Sequence, residues 1–154
     1  MREFQTLQEL EQAVGVLDLA QSNWIEVAQE RIQLFADATG DHQWIHVDAK
    51  RCATESPFAA CIAHGFLSLS LIPMMLENCI RIVPARMGLN YGLNKVRFPA
   101  PVRAGSRVRG QIGLLALEKI DGGVQLVWLV KVSLEGAEKP VCVAELVTRV
   151  MLDE

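Results

Sequence analysis

Phe66-Leu67-Ser68-Leu69-Ser70-Leu71-Ile72-Pro73-Met74-Met75-Leu76-Glu77-Asn78-Cys79 decides the fold. Its only charged residue is Glu77, and apolar residues fall on nearly every side of a 3.6-residue helix. A helix that is apolar all round belongs in the interior, so this segment predicts the central buried element of the molecule. Pro73 removes a backbone donor and should kink it. The longest apolar-looking tract, Ile62 to Leu76, contains His64 and Pro73 and is too short to cross a bilayer.

The chain beyond this helix is built to cover it. Met87 to Phe98 reads as extended chain, punctuated by Gly88 and Gly92, which marks a bulge or a close approach of another backbone. Pro99-Ala100-Pro101 interrupts pairing, and Arg107 to Ile120 is one long strand. Asp121-Gly122-Gly123 is a hairpin turn. Val124, Leu126, Trp128, Val130, Val132 and Leu134 then alternate, giving one buried face. Val127 and Leu129 make the opposite face apolar too, as a surface covered by a partner subunit would be. Gly136 to Pro140 turns the chain into a last strand, Cys142 to Leu152.

Upstream of the helix the signals are helical. Thr6-Leu7-Gln8-Glu9 has capping-box spacing, and a short helix runs to about Val14 with Gly15 as its stop. Trp24 to Val27 is a short strand. Gln29 to Thr39 is a helix with Ile32, Phe35 and Ala36 on one face, closed by Gly40. Asp48 caps a further short helix through about Ala53, and Glu55-Ser56-Pro57 ends it. Helices first, one buried helix, then an antiparallel meander make an α+β layout, one strongly curved sheet wrapped around one helix.

The chain has 154 residues, 51% apolar and 21% charged, the size of a single domain spanning 1–154 with an ample core. The N-terminus, Met1-Arg2-Glu3-Phe4-Gln5, lacks the basic-then-apolar pattern of a secretory signal. A soluble, cytoplasmic protein is expected, without a membrane partner. Cys52, Cys61, Cys79 and Cys142 form no CxxC pair and sit among apolar neighbours, as buried free thiols do. Net charge is −3, which disfavours nucleic acid as a partner. From Asn78 to Leu117 there is no acidic residue but seven basic ones: Arg81, Arg86, Lys95, Arg97, Arg103, Arg107 and Arg109. Such a zone in an acidic protein fits an anionic ligand, or equally the solvated face of strands.

Chemistry concentrates in Thr39-Gly40-Asp41-His42-Gln43-Trp44-Ile45-His46. A tight loop after Gly40 can bring Asp41 and His46 together in a partly dry pocket. There a carboxylate and an imidazole can hold one water and move its protons, and burial would raise the carboxyl pKa. The structural alternative is Asp41 as a turn cap and His46 as a satisfied, half-buried residue. His42 and His46 stand four apart, but a metal site from them needs a helix. Gly40, with Trp44-Ile45, does not favour one, and no third ligand motif is present, so no metal is expected. Gly65 opens the buried helix, and a helix-start amide with no side chain above it suits an oxygen gaining negative charge. Alternatively Gly65 only permits close packing. His64 can point into the pocket, cap the helix or lie at the surface, and the surface position is favoured. Asn90, Tyr91 and Asn94 are polar residues in apolar strand surroundings, able to line a pocket, meet a neighbouring subunit or bond structurally.

Three stretches together resemble the MaoC-like family of hot-dog-fold hydratases and dehydratases, in its nodulation-protein-N-like branch. They are Phe35 to Asp48, Ile62-Ala63-His64-Gly65-Phe66, and Asn90-Tyr91-Gly92-Leu93-Asn94-Lys95-Val96-Arg97-Phe98-Pro99-Ala100-Pro101-Val102. The resemblance implies a hot-dog fold, at least dimeric (a homodimer or a dimer of dimers), with acyl-thioester sites near the subunit interface. It implies an (R)-specific enoyl-CoA hydratase or 3-hydroxyacyl-thioester dehydratase, in which Asp41 and His46 activate a water. That water adds to the β-carbon of a trans-2-enoyl thioester while the Gly65 amide polarises the carbonyl. No metal or redox cofactor is implied; coenzyme A or acyl carrier protein comes as part of the substrate. The wider motif has Asn and Pro where this chain has Gln43 and Trp44, and bulky Trp44 should reshape the acyl tunnel. Ser68 matches a supporting serine of some relatives. The expected catalytic set is therefore Asp41, His46 and Gly65. Trp44, His64, Ser68, Asn90, Arg97 and Arg103 are candidates for contacting substrate, and Arg107 and Arg109 could join them at the phosphates of coenzyme A. An acyl-CoA thioesterase and a non-catalytic acyl-thioester-binding subunit are the alternatives.

Overall fold

Apolar residues at alternate positions put one face of a strand against the core. Val124, Leu126, Trp128, Val130 and Val132 are all buried in the computed structural model, which describes residues 1–152. In chain order the elements are β1 (Arg2–Phe4), α1 (Leu7–Gln12), β2 (Ala20–Gln21), β3 (Ile25–Val27), α2 (Gln29–Thr39), α3 (Trp44–Val47) and α4 (Ala49–Glu55). Next come α5 (Gly65–Ser70), α6 (Ile72–Cys79), β4 (Ile80–Ile82), β5 (Ala85–Arg97), β6 (Ser106–Ile120), β7 (Gly123–Leu134) and β8 (Cys142–Leu152). The main sheet runs β2-β6-β7-β8-β5, with β3 also paired to β6, and its ladders are antiparallel. A short parallel pair, β1 with β4, was not predicted.

The β6–β7 hairpin closes at Gly122, whose φ of 71° is a conformation few other residues adopt without strain. Strand β5 pairs with β8 through three register shifts, one at Gly92, and its other edge is unpaired. Val127 and Leu129 on the far face of β7 are half-buried.

The predicted kinked helix is two helices, α5 and α6, meeting at Leu71. Pro73 stands in the first turn of α6, where its missing N–H costs nothing, and the chain resets at Leu71 before it. Nor is this pair covered on every side. Leu67, Leu71, Ile72, Met75 and Cys79 face the core, but Phe66 is 67% exposed. The sheet stops at β5 and leaves that flank open. No helix among the described residues is long and apolar enough to cross a membrane.

Candidate active site

Gly40 ends α2 with φ 79°, its N–H donating to the Ala36 carbonyl at 2.8 Å, and throws the chain into the Asp41–Gln43 loop. A single helical turn, α3, comes next, where no helix was expected: Asp48 N–H reaches the Trp44 carbonyl at 3.0 Å. One turn needs only one such bond, so Gly40 does not prevent it. Asp48 then caps α4, as predicted, accepting from Arg51 N–H at 3.0 Å. The turn points His46 inward.

His46 is 6% exposed and held from three directions. Its Nδ1–H donates to the Ile62 carbonyl at 2.7 Å. Its own carbonyl accepts from Gln29 Nε2 at 2.7 Å, and Ile62 N–H reaches back to the Ile45 carbonyl at 3.0 Å. With the proton fixed on Nδ1, Nε2 carries a lone pair, which is the form a proton acceptor needs. Burial pushes the His46 pKa down; the Ile62 carbonyl opposes this, His64 adds to it, and Asp41 opposes it weakly. The ring is therefore neutral at pH 7.

His64 is the main correction. It lies not at the surface but 3% exposed, stacked on His46 with ring centroids 3.8 Å apart and planes at 22°. Its Nε2–H donates to the Asp41 main-chain carbonyl at 2.9 Å, and Asp41 Oδ2 is 3.9 Å from the same nitrogen. One ligand-type atom from each of Asp41, His46 and His64 lies within 4.8 Å of the other two. Two hydrogen bonds of about 2.8 Å bridge such a gap through a water. Asp41 also departs from expectation: its side chain is 55% exposed, because the loop sits on the molecular surface beyond the end of α2. Its Oδ1 accepts from Gln43 N–H at 3.3 Å, the turn-capping role foreseen as the alternative, while Oδ2 is the oxygen 3.9 Å from His64 Nε2.

The same cluster bears on metal binding. A metal ion needs imidazole lone pairs that converge on one point. Rings stacked at 22° aim theirs along nearly parallel planes, a poor ligand set. His42, the other half of the four-apart pair, is elsewhere, bonded through Nε2 to Asp37 at 2.7 Å.

Gly65 begins α5 directly after His64 and lines a cavity of about 250 Å³ with Ser68, Phe98 and Val102. Its backbone N–H belongs to the first turn, where no intrahelical partner exists. A Cβ added there would stand 3.0 Å from the Phe98 ring. Ser68 is buried at the same cavity, one turn into α5. Further along, α6 and β5 enclose a second cavity of about 290 Å³, lined by Pro73, Leu76, Asn90, Trp128 and Thr148. Asn90 lies there and not beside Gly65.

Trp44 opens α3, half-buried, with the Arg51 guanidinium 4.2 Å above its ring. Arg103 is held next to the site by its backbone: Ile62 and Arg103 form an antiparallel bridge, and Ala63 N–H donates to the Val102 carbonyl at 2.7 Å. Arg97 is exposed at the end of β5, its Nη1 on the Val96 carbonyl. Arg107 is paired with Glu135, and Arg109 lies 4.3 Å over the Trp24 ring, so the basic zone is partly spent on internal contacts. Sequence reasoning missed Phe35 and Gln29 as site residues. Both lie on α2: Phe35 packs 4.9 Å from the His64 ring, and Gln29 anchors His46.

The family described as MaoC like domain matches residues 16–133. The 3-hydroxyacyl-thioester dehydratase Z of Mycobacterium tuberculosis is 47% identical over 150 residues, 97% of this chain and 98% of its own. Nodulation protein N of Rhizobium leguminosarum bv. viciae is 47% identical over 139 residues, 88% and 86% of the two chains. Among solved structures, an unliganded R-hydratase from Pseudomonas aeruginosa superposes with a TM-score of 0.70 at 26% identity, covering 86% of this chain and 81% of that one.

Proposed function

The chain belongs to the MaoC-like domain family, and on that premise we propose that it is a 3-hydroxyacyl-thioester dehydratase and (R)-specific enoyl-thioester hydratase. The observation that carries this reading is the His46 tautomer: a buried imidazole with its pKa held down and a bare Nε2, in a ring that brings a nitrogen within 4.8 Å of an exposed carboxylate. In the hydration direction one member of the Asp41–His46 pair takes a proton from the water as its oxygen bonds to the β-carbon of the enoyl thioester. That same proton is then delivered by the pair to the α-carbon, so H and OH of one water add across the double bond. Negative charge that develops on the thioester oxygen is met by the Gly65 N–H. Dehydration is the same path reversed. The chemistry calls for no metal or redox cofactor.

Trp44 and Ser68 contact the acyl group in this reading, and Asn90 a long chain. Arg103 and Arg97 meet the phosphates of coenzyme A or of an acyl carrier protein's prosthetic arm. Four buried free thiols fit a reducing cytoplasm. We further propose a homodimer formed through β5. Met87, Leu89, Tyr91 and Leu93 are 40 to 59% exposed on a strand with a free edge, a surface that invites pairing. Light scattering that gives a monomer at working concentration overturns that part.

Crotonyl-CoA tests the activity. Loss of enoyl absorbance without release of free thiol is the expected result. Thiol release would make the protein a thioesterase, and binding with neither change would make it a non-catalytic acyl-thioester-binding subunit.

A further inference from the structure

We propose that His64 is a positioning residue that sets the geometry of the water-activating pair, rather than a contact for substrate; this rests on the acid–base role proposed for Asp41 and His46. Little of it is open to substrate, since it is 3% exposed. Phe35 packs against its ring at 4.9 Å and His46 stacks on it at 3.8 Å. Its Nε2–H is engaged with the Asp41 carbonyl, and Nδ1 is buried without a partner. What it does touch is the machinery.

Three connections leave this one residue. The Nε2–H bond, at 2.9 Å, pins the main chain of Asp41, a loop residue whose carboxylate is otherwise on the surface. The ring face fixes the plane of His46, whose in-plane direction is fixed separately by Ile62. The carbonyl of His64 accepts from Leu67 N–H at 3.0 Å and Ser68 N–H at 3.3 Å, founding the first turn of α5. The next peptide is that of Gly65. Carboxylate, imidazole and helix-start amide therefore share one support, and a shift of His64 moves all three relative to each other. Reacting groups displaced by about 1 Å can lose about a hundredfold in rate.

Donor and ring can be separated by substitution. His64→Gln keeps an N–H at the Nε2 position and loses the flat ring; His64→Phe keeps a flat ring and loses the donor. With the donor's hold on the Asp41 loop as the larger support, His64→Gln, which loses only the ring, should keep more of kcat on crotonyl-CoA than His64→Phe. His64→Phe should lose about a hundredfold in kcat with little change in KM. A residue that only fills space predicts the reverse order, and His64→Phe as active as His64→Gln overturns the proposal. Asp41→Asn in the same assay separates the two levels. If Asp41→Asn is fully active, the acid–base reading fails. If Asp41→Asn is inactive while His64→Phe is active, only the positioning role fails. Should the His64 variants not fold, long-range ¹H–¹⁵N spectra of the wild-type protein decide. The proton is expected on Nε2 of His64 and on Nδ1 of His46, and a His64 ring protonated on Nδ1 instead sinks the idea.

Discussion

Two carboxylate–imidazole pairs lie within ten residues of each other, and they are opposites. Asp37 and His42 touch directly at 2.7 Å in the open, with both side chains about half exposed. The Asp37 hydrogen bond holds the His42 pKa up and His42 holds that of Asp37 down, so each favours the charged form of the other at the surface. Asp41 and His46 make no direct bond, and burial holds the His46 pKa down. Contact with a carboxylate favours the cationic form of an imidazole. Burial near a carboxylate favours the neutral form, the one a proton acceptor needs. The closer pair is therefore the less suited to proton transfer, and substitutions in the two pairs should differ most in rate and least in stability.

The largest effect belongs to the second pair. Asp41→Asn and His46→Gln should each lower crotonyl-CoA hydration by about 10²–10⁴-fold, the range a positioned acid or base supplies. Asp37→Asn and His42→Gln, only a few residues from those positions, should leave the rate near wild type. Comparable losses from both sets would abolish the distinction between the pairs.

Next in size is Gly65→Ala. Its Cβ meets the Phe98 ring at 3.0 Å, so either the ring or the start of α5 must yield. Overpacking of this kind destabilises by about 1–3 kcal/mol, and activity should fall with it. Phe98→Leu in the same chain should restore melting temperature and part of the rate. Failure of the second change to restore either would mean that the glycine serves something other than space.

Smaller, and opposite in sign for the two histidines, is the pH dependence of stability. His46 has a lowered pKa in the fold, so below about pH 6.5 the unfolded chain binds the proton first. Its contribution is present above that value and is lost as pH falls through the folded one. His42 has a raised pKa, so its contribution is present below about pH 6.5 and lost as pH rises through the folded value. Thermal melts from about pH 7 to about 5.5 should show a decline in wild type that His46→Gln flattens. A wild-type curve already flat over that range would contradict a buried neutral ring.

The least effect is expected from His42→Ala at pH 7. The pair is exposed and screened, and its removal should leave the melting midpoint where it was. A clear drop would show that the surface pair shapes the Asp41 loop.

Much of this was legible in the chain. Alternation along 124–132 predicted a buried face because a strand has a strict period of two, and Gly40 announced the end of α2 because its conformation suits glycine. The proposed active residues came from the resemblance as much as from spacing. What stayed hidden has a common cause. The direction of the His64 ring is set by Asp41, 23 residues away, and by Phe35 and His46, none of which local periodicity reports. Strands β1 and β4 are three residues each, too short to show any period. The exposure of Asp41 follows from where α2 ends on the molecule, a property of packing and not of the motif. Pro73 promised a bend, but a proline in a helix's first turn is tolerated without one, and the chain restarts there instead.

The restart at Leu71 has a consequence for how such a protein can diversify. Gly65 rides on one short rigid piece, while Pro73, Leu76 and the cavity above Trp128 belong to the next. A substitution that deepens or fills that cavity is absorbed at the joint. If the acyl tail lies in that cavity and the Gly65 amide meets the carbonyl, as proposed, descendants of this chain can drift toward longer or shorter tails while that amide stays in register, a division of labour that one unbroken helix would forbid.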